Sequence, residues 1–132
     1  MEKQIFVNAV KSAIKTMKPV DSVGYEALCD CGLEQARRCD NLFEEIVALA
    51  KNVEREAANF VEQFSAGSFH SCSPAEYSSV RDLGRKVVEF KVARDGLRSF
   101  IVAAFGKDGQ HAYRDAIFKH FDLGAEASLG AA

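Results

Sequence analysis

The sequence predicts an all-α protein, a helical bundle of four to five helices built on a long antiparallel helical hairpin. Three observations carry this. Apolar residues recur every three or four positions along two long stretches, no segment alternates apolar and polar residues as a half-buried strand would, and the breaks fall at proline, glycine and serine.

At 132 residues, with 48% hydrophobic and 27% charged, the chain has the size and composition of one globular domain with a core of its own. That domain is expected over 1–123, followed by a flexible small-residue tail, 124–132, in which Leu129-Gly130-Ala131-Ala132 looks like a bacterial protease-recognition end.

The first helix is expected over Glu2 to Lys18. Phe6, Val10, Ala13, Ile14 and Met17 share a face, and Lys3, Lys11, Lys15 and Lys18 lie elsewhere. Such a face packs on a core or rests on an anionic membrane surface, and within a bundle the first is the ordinary case. Pro19 stops the helix, because it lacks an N–H and disfavours helix in the preceding residue. Asp21 or Ser22 then offers an N-cap for a short helix through Tyr25, Ala27 and Leu28, with Gly32 read as a break.

From Leu33 to Phe64 the spacing is unbroken: Ala36, Cys39, Phe43, Ile46, Ala50, Val53, Ala57, Phe60 and Phe64 span four heptads. Leu42, Val47, Leu49 and Val61 widen the stripe, so this helix is expected to face more than one neighbour. After a glycine- and serine-containing loop, Ser73-Pro74-Ala75-Glu76 reads as a cap, a first-turn proline and a capping-box glutamate. Val80, Leu83, Val87, Phe90, Leu97, Ile101 and Ala104 continue the period with one interruption, at Arg94, and Gly106 closes the helix. Gly84 and Asp95-Gly96 are sites for kinks. A last helix, from about Gln110 to Phe121, presents Tyr113, Ala116, Ile117 and Phe121. The two long helices are each about 45–50 Å at the standard rise. They are poorly covered by the short ones, which predicts a homodimer.

Charge and cysteine usage exclude more than they assign. Seventeen basic against nineteen acidic residues give a net charge of −2, which lacks the electropositive footprint of a duplex-DNA binder. No apolar run approaches the roughly 20 residues of a membrane span, and no leader is evident, so a cytoplasmic protein with reduced thiols is expected. Cys29, Cys31, Cys39, His70 and Cys72 are soft ligands, but one-residue and seven-residue gaps do not make the paired turns of a zinc site; no metal and no cofactor are expected. Cys31 and Cys72 are the expected exposed thiols. His70 and Cys72 lack a third, orienting group for nucleophilic catalysis, and Glu44-Glu45, Glu54 and Glu56 fall on a solvated helix face.

One motif points to chemistry. Arg114-Asp115-Ala116-Ile117-Phe118-Lys119-His120 resembles the signature of the HEPN superfamily, an arginine, a polar residue, four to six further residues and a histidine. Many members are small all-helical RNases whose two motifs face each other across a dimer cleft. The resemblance implies a metal-independent RNase in which Arg114 contacts phosphate, His120 moves protons and Asp115 holds the polar position. Ribose-hydroxyl attack needs such a cation and such an imidazole. Phe121 stands where members often carry tyrosine. The leading reading is a different class: a non-enzymatic protein–protein interaction module, a small bacterial or phage-type adaptor, inhibitor or regulatory subunit. It follows from surplus apolar helix surface and the lack of a catalytic constellation. RNA is a partner under the HEPN-like alternative only.

Overall fold

The computed structural model describes residues 4–68 and 78–121, and among these 89% are helical, with no strand. Three helices span them, α1 (Ile5–Thr16), α2 (Tyr25–Ser65) and α3 (Ser78–Phe121), fewer than the four to five expected. The difference has two causes. Gly32 does not break α2, and the last helix continues α3 across a single non-helical residue, Gly106. The Ser73 cap and Pro74, together with His70, Cys72 and the tail, lie outside the described residues.

The chain divides into two compact units, whose described residues are 4–40 with 92–121 (unit 1) and 41–68 with 78–91 (unit 2). In unit 1, α1 turns Ile5, Phe6, Val7, Ala9, Val10 and Ala13 inward, and Val10, Cys39, Leu97 and Ile101 are its largest wholly enclosed side chains. The α2 and α3 stretches run antiparallel here: Tyr25 meets Phe105, Gly32 meets Phe100 and Gln35 meets Gly96. Pro19 does end α1, and the segment after it is tied down where the Val20 N–H donates to the Ala104 carbonyl at 2.9 Å. Asp21 does not cap α2; its carboxylate accepts the Val23 N–H at 2.9 Å, an Asx turn ahead of the helix.

Helix α1 begins without a cap of its own. Gln4 makes no side-chain capping bond and the first turn holds no acid. The carboxylate of Asp40, on α2, supplies what is missing: Oδ1 accepts the Phe6 N–H at 2.9 Å and Oδ2 the Val7 N–H at 3.0 Å. Two of the orphan amides of a helix start are thereby satisfied by an anion at the positive end of the dipole.

Gly32 is buried, and a Cβ there would collide with the Phe100 ring, so this glycine is a site of close helix approach rather than a break. Gly84 and Gly96 lie within α3 without interrupting it. Gly106 does: φ 74° and ψ −165° put it in a region that favours glycine, and the two arms of α3, 78–105 and 107–121, meet there.

In unit 2 the α2 and α3 stretches are again antiparallel. Phe43 lies 6.4 Å from Phe90 between ring centroids, Lys86 pairs with Glu45 at 3.0 Å, and the Ser79 hydroxyl donates to Glu56 at 2.8 Å. Its seam is shallow: Phe43, Ile46, Val53 and Phe60 are half-buried, and Ala50, Ala57 and Phe64 are exposed.

Two predictions follow for stability. Asp40→Asn is expected to cost about 1.5–3 kcal/mol in chemical denaturation, since the charge is lost and an amide NH2 faces one of the two helix donors; a loss below ~0.5 kcal/mol would show that α1 does not depend on it. Gly32→Ala is expected to destabilise by about 1–3 kcal/mol through overpacking against Phe100, although alanine is the better helix former. Gly84→Ala, whose Cβ would meet nothing within 4 Å, should instead stabilise by about 0.5–1 kcal/mol. The two glycines responding alike would refute this assignment.

Candidate functional site

Unit 1 carries a cleft of about 440 Å³ lined by Phe6, Arg94, Arg98, Gln110, Tyr113, Arg114, Ile117 and Phe118. The local sequence explains the lining. Arg94 and Arg98 are one turn apart on the first arm of α3, while Gln110, Tyr113, Arg114, Ile117 and Phe118 form the i, i+3, i+4, i+7, i+8 stripe of the second. Phe6 comes from α1, at the residue whose N–H is held by Asp40.

The cleft carries three guanidinium groups and no carboxylate in its lining. All three arginines are exposed, and none makes an ion pair among the described residues. The Arg114 guanidinium lies 5.0 Å from the centroid of the Phe118 ring, which holds the cation against an aromatic wall. Tyr113 is 9% exposed, and its buried hydroxyl has no hydrogen-bond partner among the described residues. Burial raises its pKa, Cys39 and Asp40 push in the same direction, and Arg94 and Arg98 oppose them. The phenol therefore stays protonated and able to donate.

Of the residues singled out by the HEPN-like motif, Arg114 lines the cleft, whereas Asp115 and His120 are exposed and do not. His120 instead packs edge-on against Phe121, 5.1 Å between centroids. Six residues on a helix rotate the side chain by roughly 120°, so Arg114 and His120 of one chain leave α3 on different faces. Sequence reasoning missed Arg94 and Arg98. Their trace is the one interruption in the apolar stripe of α3, at Arg94, followed by a second arginine one turn later.

The described thiols form no comparable cluster. Cys29 and Cys39 are buried and Cys31 is exposed, all unpaired. Burial pushes the Cys39 thiol up to about 12, with Asp40 adding to the rise and Arg94 and Arg38 opposing it, so the nucleophilic thiolate is suppressed at neutral pH. No group of three or more His, Cys, Asp or Glu side chains among the described residues could hold a metal ion, and no described helix is long and apolar enough to cross a membrane. Native-state alkylation with iodoacetamide, read by peptide mapping, is expected to modify Cys31 at least tenfold faster than Cys29 or Cys39, roughly the gap between an open and an enclosed thiol. Equal rates would mean that the unit 1 core opens readily.

Compared with known proteins, the chain matches no family model, no curated protein and no solved structure.

Proposed function

We propose that this chain is a non-enzymatic protein–protein interaction module, an adaptor, inhibitor or regulatory subunit working in the cytoplasm, and that it uses unit 2 to pair with a second copy of itself. One observation carries the reading. Among the described residues of unit 2, Leu42 is the single buried apolar side chain, while Val47, Val61, Phe64, Val80 and Val88 are 39–61% exposed.

Two helices alone cannot enclose a core, and helical stability in water comes mainly from packing an apolar face. At 3.6 residues per turn, Val47, Val61 and Phe64 fall within an arc of roughly 100° on α2, and Val80 and Val88 within roughly 80° on α3. These are stripes rather than scattered exposures. A two-fold pairing brings like stripes together and converts two such helix pairs into a four-helix core, and a net charge of −2 on the chain opposes it little.

Sedimentation equilibrium is expected to report about twice the 14.5 kDa chain mass. Val61→Glu and Val88→Glu should each return the protein to monomer with its helical circular dichroism retained. Monomeric wild-type protein at every accessible concentration would overturn the self-pairing. Metal-independent cleavage of single-stranded RNA, abolished by both Arg114→Ala and His120→Ala, would replace the interaction module with the HEPN-like enzyme.

A further inference from the structure

We propose that the arginine-lined cleft of unit 1 is a binding site for a small phosphate monoester that carries a planar or apolar group, the chemistry of a nucleoside monophosphate. Three observations converge on it. Arg94, Arg98 and Arg114 enter one concavity from the two arms of α3, and no carboxylate lines it. None of the three makes an ion pair among the described residues, so their donors are free for an external anion. The guanidinium fork matches phosphate oxygens better than any other side chain, and three of them supply enough donors for a dianion.

The remaining wall is apolar, from Phe6, Ile117 and Phe118, and Phe118 already takes a planar group, the Arg114 guanidinium, at 5.0 Å. A base or similar ring has this apolar wall to lie against beside the cationic end.

The dimensions favour a small molecule over a polymer. About 440 Å³ lies within the roughly 300–1,000 Å³ of small-ligand sites. A polynucleotide groove would need a basic stripe extending beyond the cleft, and a chain of net charge −2 with acidic residues interspersed along α2 does not supply one.

Isothermal titration of the full-length protein at low salt, with adenosine monophosphate, adenosine and inorganic phosphate as probes, tests the site. Adenosine monophosphate is expected to bind at one site per chain, inorganic phosphate more weakly, and adenosine without detectable heat. Arg94→Gln, Arg98→Gln and Arg114→Gln should each weaken adenosine monophosphate binding by about tenfold or more, with circular dichroism unchanged, while Arg55→Gln, on unit 2, binds as wild type. Should any glutamine variant lose helicity, Arg98→Lys keeps the charge without the fork and should still weaken binding several-fold. Binding of adenosine as tight as its monophosphate, or folded arginine variants that bind as wild type, would overturn the proposal. Capture of a 5′-phosphorylated RNA oligonucleotide with no binding of the monophosphate would likewise overturn it.

Discussion

The carboxylate of Asp40 holds the start of α1, and the order of unit 1 depends on that one contact. It is buried, at 5% exposure, and both of its oxygens are engaged, one by the Phe6 N–H and one by the Val7 N–H. Helix α1 puts six apolar residues into the core, but a twelve-residue helix is marginal on its own, Gln4 makes no side-chain capping bond, and the first turn holds no acid. The interaction therefore sets three things together: where α1 begins, which of its faces meets α2 and α3, and where the Phe6 ring stands in the wall of the cleft. A charge so buried is tolerated because the helix dipole and two charge-assisted hydrogen bonds replace the water it loses.

What the amino-acid sequence shows of this fold is set by how local each signal is. The three–four spacing of Ala36 and Cys39, of Leu97, Ile101 and Ala104, and of Phe6, Val10 and Ala13 reports helix and inward face directly, because both are properties of a single segment. Pro19 and Gly106 act through their own backbones, and the chain breaks at both. Gly32 misleads because its reason is not local: it is small to admit Phe100 from 68 positions away in sequence, and without that partner it reads as a helix stop. Asp40 misleads for the same cause. On the helical period it is one more polar residue beside Cys39, and its role exists only once α1 is laid across α2.

The candidate cleft was legible only in part. Arg114 stood out through its resemblance to a catalytic signature, but the structure groups it with Arg94 and Arg98 rather than with His120. The grouping needs the break at Gly106, which brings residues from the two arms of one helix to a common concavity. A linear motif search sees Arg114 and His120 because they are six apart in the chain; it cannot see an arginine sixteen or twenty residues upstream across a left-handed glycine. Unit 2 is the opposite case. Its heptads are as regular as those of unit 1, yet Phe43, Phe60 and Phe64 are not enclosed, because periodicity specifies which face is apolar and not whether a partner covers it.

The same carboxylate that anchors α1 also bears on the charge of the cleft. Burial raises the pKa of the Tyr113 phenol most, Cys39 and Asp40 add to the rise, and Arg94 and Arg98 oppose it, so the tyrosine responds both to the buried anion and to two cations of the cleft. Each Asp40 oxygen accepts a backbone amide of α1, and no ion pair among the described residues joins the carboxylate to Arg94 or Arg98. Arg94 and Arg98 stay exposed and unpaired among the described residues, so the anion that starts α1 does not neutralise the cleft. An exposed cation cluster thus stands on a chain whose net charge is negative, while the buried anion of the same unit is held by the backbone amides of α1.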